Sequence, residues 1–362
     1  MQIPISCSVM RGGTSKGLYF EAGDLPADRA ARDRVLLAAM GSPDNRQIDG
    51  LGGSHPLTSK VAVINRSGRE DADIDYLFLQ VSVDRAEVSD SQNCGNILAG
   101  VGPFAIEQGL VESHDDVTDV RIHMVNTGGI AVARLQTPGR RVEYAGTARI
   151  DGVPGTAAPV MLEFLGIAGS SCGALLPTGN VLDMVDGFEV TCIDNGMPVV
   201  LLRAADFGKS GYESPEELEA DEALRSRVES IRLELGERMN LGDVRTKTVP
   251  KMSLVAPARN GGAICTRTFI PHRVHDAIGV LGSVSVATAC KLPGSVAQQV
   301  SGLQAHHAPQ WLVVEHPTGY FSVEVELDTG GGALEVGRTA VLRTARLLMR
   351  GEVFVPESAW TA

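Results

Sequence analysis

Two stretches, GNILAGVGPFAIEQGL (residues 95–110) and HDAIGVLGSVSVATACKLPG (residues 275–294), keep apolar residues at helical spacing and carry almost no charge. A helix that is apolar all round has no side to turn to water, so the rest of its domain must wrap it. The two stretches lie roughly 185 residues apart, the mark of a degenerate internal repeat. A chain of 362 residues is also too long for one ordinary core. These features predict an α+β protein of two similar domains with a cleft between them. The division is expected near GSSCGALLPTGN, where Gly, Pro and Ser break the pattern, giving domains 1–178 and 179–362. The C-terminal segment is free to return to the first domain.

Short strands fill the remainder. IPISCSVM, KGLYF, KVAVIN, DYLFLQVSV, RIHMVNT, IAVARL, VEYAGTARI and VMLEFL alternate or are rich in β-branched residues. FEVTCID, PVVLLRA, MSLVAPA, ICTRTFIP, WLVVEHP, FSVEVELD and the closing VGRTAVLRTARLLMRGEVFV continue the theme. PADRAARDRVLLAAMG predicts a helix opened by Pro26 and stopped by Gly41. SPEELEADEALRSRVESIRLELGERM predicts one long charged helix, with Ser214 and Glu217 placed for a capping box.

The formal charge of −12 argues against nucleic acid or an anionic membrane surface as partner. No apolar run approaches the roughly 20 residues of a membrane span, and MQIPISCSVM does not read as a signal peptide. The expected compartment is the cytoplasm. Six scattered cysteines, with no C-x-x-C pair and no finger-like spacing, predict free thiols and no structural zinc.

Three motifs point to chemistry. In MRGGTSKG (residues 10–17), glycines beside Thr14 and Ser15 let the backbone present N–H groups to an anion, and Arg11 adds charge. Taken alone, the same residues suit a plain hairpin turn. In DGLGGSHPLTSKVAVI (residues 49–64), Lys60 follows Ser59 at the entrance to an apolar strand. An exposed lysine there is ordinary; a buried one has its ammonium disfavoured and serves as a base. In SQNCGNILAGVG (residues 91–102), Cys94 stands between Asn93 and Asn96 with Gly95 at the start of the apolar helix. Open N–H groups and the positive dipole end favour a thiolate or a substrate carboxylate there. The two amides can hold a developing enolate. The second helix start, AIGVLGSVSVAT, repeats the geometry through Gly282, Ser283 and Ser285 without a thiol, and His272 and Arg273 stand just upstream. Those two are candidates to touch substrate, although either also suits a structural part.

These motifs, in this order and nearly end to end, resemble the PrpF family of the diaminopimelate-epimerase-like superfamily. They are most similar to its 4-oxalomesaconate tautomerases and Δ-isomerases of gallate and lignin-aromatic breakdown. The resemblance implies two pseudo-symmetric domains, each a β-barrel-like sheet around a central apolar helix, with the site between the helix tips. It implies proton movement on a small di- or tricarboxylate without cofactor or metal. It makes Lys60 the proton-transfer base and Cys94 its thiol neighbour. Epimerases of this fold carry a Cys-Gly pair at both helix starts, and the second start here reads LGSVSV, which disfavours a two-thiol racemase.

The expected ligand is therefore a polyanionic keto-tricarboxylate, with its carboxylates bound by Arg11, Thr14, Ser15, Ser59, Arg273 and Ser283 or Ser285. A homodimer is among the assemblies allowed. Two alternatives stand beside this reading: a 2-methylaconitate cis-trans isomerase, and a non-catalytic tricarboxylate-binding protein.

Overall fold

The computed structural model describes residues 1–91, 93–271, 273–304, 310–328 and 334–361. They form two compact units, one of residues 1–165 with 342–362 and one of residues 166–341. The first break thus falls between Leu165 and Gly166, ahead of the expected 178/179. The reason for the earlier break lies in packing: Cys172 is buried in the core of the second unit, with Val190, Leu202 and Leu254.

The first unit opens with β1 (Gln2–Gly12), β2 (Ser15–Glu21), α1 (Arg29–Met40), β3 (Lys60–Arg66) and β4 (Ile74–Val81). It continues through β5 (Val88–Ser89), α2 (Gly95–Glu107), β6 (Asp116–Met124), β7 (Gly129–Thr137) and β8 (Pro159–Leu165). Its strands follow the order β1-β2-β3-β4-β6-β7-β8, with β2–β3 and β4–β6 parallel and their neighbours antiparallel. Strand alternation gives the sheet two jobs. Leu18, Phe20, Val61 and Val63 pack in one cluster with Val35, Leu36 and Ala39 of α1. The opposite face, which carries Tyr19, Ala62, Ile64, Tyr76 and Phe78, wraps α2, and α2 touches β1, β2, β3, β4, β7 and β8. Every residue of α2 from Ile97 to Ala105 is buried, as a helix without a polar face requires.

The second unit repeats this plan. It holds β9 (Asp183–Val185), β10 (Phe188–Asp194), β11 (Pro198–Arg203), α3 (Pro215–Ala220), α4 (Glu222–Arg238), β12 (Lys251–Ala256) and β13 (Ile264–Phe269). Then come α5 (Val280–Lys291), α6 (Val296–Ser301), β14 (Trp311–His316) and β15 (Gly319–Asp328). β16 (Glu335–Pro356) gives residues to both units, and α7 (Glu357–Thr361) closes the chain. β11–β12 and β13–β14 are parallel, whereas β10–β11, β12–β13 and β14–β15 are antiparallel, which is the alternation of the first unit. α5 lies against β10, β11, β14 and β15, and its residues from Gly282 to Cys290 are all buried.

Three local expectations need correction. α1 begins at Arg29 rather than Pro26, because Asp28 accepts a hydrogen bond from the Ala31 N–H at 2.8 Å and caps the helix. The long charged helix is broken in two: Asp221 leaves helical geometry at φ −83°, ψ 91° and its carboxylate caps α4 by accepting from Leu224 N–H. The Ser214–Glu217 capping box forms as the sequence indicates. VEYAGTARI is no strand; it makes a single bridge, Ala148 to Ala157, since a glycine and two alanines give its alternation nothing to bury. No helix among the described residues is long and apolar enough to cross a membrane.

Candidate active site

Lys60 is the first residue of β3 and stands in register with Gly17 of β2 and Gln80 of β4. Alternation places its side chain on the face that wraps α2, together with Ala62 and Ile64. Only 6% of it is exposed. Its Nζ donates to Gln80 Oε1 at 2.7 Å and lies 5.0 Å from the centre of the Phe78 ring. Ser59, the residue before it, is fully buried and its hydroxyl accepts from Gln47 Nε2 at 2.7 Å, so it braces the approach to the strand.

The tip of α2 is held from the same face. Cys94 is the N-cap, with extended backbone and no side-chain cap hydrogen bond, which leaves the thiol uncommitted to the helix end. The Tyr76 hydroxyl donates to the Cys94 carbonyl at 3.3 Å, and the Tyr19 hydroxyl donates to the Ile97 carbonyl at 2.6 Å. Burial, reinforced by the nearby Cys94, pushes both phenols well above their ordinary range, so they remain donors. Asn93 Oδ1 accepts from Cys94 N–H at 3.1 Å, and its amide nitrogen reaches Thr127 at 3.4 Å. Asn96 Oδ1 accepts from Thr14 N–H at 3.4 Å, which joins the MRGGTSKG turn to the first turn of α2.

That junction requires glycine. A Cβ on Gly12 would run into the Asn96 carbonyl oxygen, and one on Gly17 into the Lys60 carbonyl oxygen. The bare Gly17 packs toward the Ile97 side chain, so the start of β3 and the first turn of α2 are neighbours across one residue. Arg11 spends Nη1 on the Gly13 carbonyl at 2.8 Å and on Thr344, fixing the turn against β16; burial lowers its pKa. Ser15 is 1% exposed, and its hydroxyl has no hydrogen-bond partner among the described residues. A buried donor without a partner costs stability unless something arrives to meet it. In the first unit, therefore, Thr14 meets Asn96 at the tip that Cys94 and Gly95 open, while Lys60 and Ser15 lie on the sheet face that wraps the same helix.

The expected residues of the second unit behave differently. Gly279 caps α5 without a side chain. The Ser283 hydroxyl donates to the Val280 carbonyl at 2.6 Å, inside the helix. Ser285 donates to the Met197 carbonyl at 2.7 Å and accepts from Asn195 N–H at 3.1 Å, so its hydroxyl fastens α5 to the turn before β11. Gly282 meets only ordinary contact with Ile278. Arg273 is exposed on the turn after β13, and His272 lies outside the described residues. Cys290 is packed inside α5, its thiol pushed up to about 12 by burial. Among the described residues, no group of three or more His, Cys, Asp or Glu side chains gathers to hold a metal.

Motif reading missed Gln80, Tyr19 and Tyr76, because each acts through strand register rather than through a run of residues. The one usable signal was alternation: Tyr76, Phe78 and Gln80 occupy every second position of β4.

A family model described as PrpF protein matches residues 2–356. The (4E)-oxalomesaconate Delta-isomerase of Novosphingobium sp. (strain KA1) is 61% identical over 349 residues, covering 96% of this chain and 97% of that protein. The 4-oxalomesaconate tautomerase of Pseudomonas putida is 60% identical over 359 residues, covering 99% and 98%. The crystal structure of a methylitaconate-delta-isomerase superposes with a TM-score of 0.89 at 34% identity, covering 100% of this chain and 98% of that one. A hydroxyproline epimerase shares the fold alone, at TM-score 0.55 and 13% identity over 99% and 94% of the two chains.

Proposed function

We propose, from the premise that this chain belongs to the PrpF family, that it is an isomerase moving a proton within 4-oxalomesaconate. The reading takes its substrate from the two relatives of 60% and 61% identity, which are a tautomerase and a Δ-isomerase of that compound. The observation that carries it within the chain is Lys60, a buried amine on the face that wraps α2.

In its neutral form, Lys60 removes a proton from the methylene beside the α-keto group. The C–H electron pair passes into the carbonyl and the conjugated alkene, giving a dienolate, and the amine becomes an ammonium. Open N–H groups in the first turn of α2 and the amides of Asn93 and Asn96 hold the developing charge. The Ser15 hydroxyl, Thr14 and the turn that Arg11 fixes take a carboxylate. Return of a proton to the far allylic carbon moves the double bond; return to oxygen gives the enol tautomer. The proton comes from the lysine ammonium or, as a second donor, from the Cys94 thiol. The same reading places a free polyanionic substrate and a cytoplasmic enzyme together, with a homodimer as its assembly.

The test is to incubate the purified protein with 4-oxalomesaconate in deuterium oxide and follow the product by proton NMR. Conversion, with deuterium entering at carbon or with the shifted proton retained, agrees with the reading. Binding of the compound without conversion overturns it in favour of a tricarboxylate-binding protein.

A further inference from the structure

We infer that Gln80 is a positioning residue for Lys60: its amide oxygen aims the amine along the face that wraps α2 and, being uncharged, does so without an ion pair. The inference rests on the proton-transfer reading of Lys60 given above.

The orientation of the Gln80 amide is set by its other end. Nε2 donates to the Ser59 carbonyl at 2.9 Å, to the Pro56 carbonyl at 3.1 Å and, more weakly, to the Val81 carbonyl at 3.4 Å. Carbonyl oxygens only accept, so the NH2 group must face them, and Oε1 is left pointing at Lys60 Nζ, 2.7 Å away. The amide thus clamps the backbone leading into β3 with one end and holds the working amine with the other. The amine can donate one N–H to Oε1 and keep its lone pair directed elsewhere.

The neighbours on this face support that division of labour. Lys60, Gln80 and Gly17 form one cross-strand row, and Ala62 with Phe78 forms the next. Phe78 is itself fixed, because Asn126 accepts from its N–H at 2.8 Å and donates to its carbonyl at 2.9 Å. The titratable groups beside Tyr19 and Tyr76 of this face are Cys94, Arg11 and Tyr144, and alternation along the strands adds Arg66 at the far end of β3 and Glu21 at the far end of β2, opposite Ile64. No carboxylate occupies the row of Lys60. An acidic residue at position 80 would hold the ammonium tightly and withhold the base; an apolar residue would leave the amine free to swing.

The experiment compares wild type, Gln80→Glu, Gln80→Met and Lys60→Ala for kcat, KM, their pH dependence and thermal melting. An opposite charge within hydrogen-bond distance moves a titration by roughly one to three pH units. The acid limb of the Gln80→Glu rate profile is therefore expected to move upward by at least about one unit, with activity recovering at high pH. Gln80→Met is expected to lose kcat by roughly tenfold or more, with KM changed less than about twofold, because a loosened catalytic group affects the transition state before binding. If Gln80→Glu does not fold, the kcat-against-KM split in Gln80→Met decides alone. A dead Lys60→Ala beside wild-type kcat and an unmoved profile in the Gln80 variants overturns this inference and leaves the proton-transfer reading intact. Full turnover by Lys60→Ala overturns both.

Discussion

Each unit starts one strand with a lysine, and the two lysines occupy matching places in the repeat. Lys60 opens β3, between a parallel neighbour and an antiparallel one; Lys251 opens β12, which has the same neighbours in the second unit. Alternation also puts them on matching faces. Met252 and Leu254 join the cluster of α4, as Val61 and Val63 join that of α1, so both lysines point the other way. What differs is the company. Lys60 has Gln80 opposite it on its antiparallel neighbour, whereas β13 ends at Phe269, opposite Met252, so Lys251 has a strand partner only in the apolar Val199 of β11. Burial and the nearby Arg232 bring Lys251 down to about 8. The repeat supplies a lysine twice, but among the described residues only the first has a glutamine acceptor opposite it, in the unit whose helix tip carries a thiol.

The sharpest way to break this comparison is to remove both amines in turn. Lys60→Ala is expected to lower kcat by roughly two to four orders of magnitude, the span of general acid–base catalysis, with little change in melting. Lys251→Met should stay within a few-fold of wild type. An equal loss in both would make the second lysine a partner in the reaction and dissolve the contrast drawn here.

Lys251 instead has a measurable effect on stability. Its folded pKa lies below the ordinary lysine value, so the unfolded chain binds more protons between about pH 8 and 10.5, and wild-type stability rises with pH across that window. Below pH 8 the charged amine is a cost. Lys251→Met is therefore expected to be more stable than wild type at pH 7, by up to about 3 kcal/mol, and to lose that advantage above pH 10.5. Melting curves of the two proteins between pH 7 and 11 measure this directly.

A smaller effect sharpens the contrast between the helix tips. Ser285→Ala leaves the buried Asn195 N–H without its acceptor and should cost roughly 1–3 kcal/mol in chemical denaturation. A change smaller than about 0.5 kcal/mol would mean that this hydroxyl is not the fastening of α5, and would return Ser285 to the list of groups free to meet a ligand.

Much of this arrangement is legible in the residues. The absence of a polar face in α2 and α5 forces a sheet around each, and their spacing announces the repeat. Lys60 and Cys94 stand out because a charge enters an apolar strand and a thiol sits between amides at a helix start. What escapes a linear reading is whatever depends on register or on competing local bonds. Gln80 matters only because it lies across from Lys60, twenty residues away. Ser283 and Ser285 look like ligand groups until the carbonyls of Val280 and Met197 are seen to occupy them. Asp221 could have been recognised as a cap, but the charged, helix-favouring residues on both sides obscure the break.

The two tyrosines that clamp the first turn of α2 carry one further consequence. Because burial keeps both phenols protonated well past neutrality, their hydrogen bonds to the Ile97 and Cys94 carbonyls persist in mildly alkaline solution. A fall in turnover on the basic side of a rate profile would then not trace to the loss of these two donors.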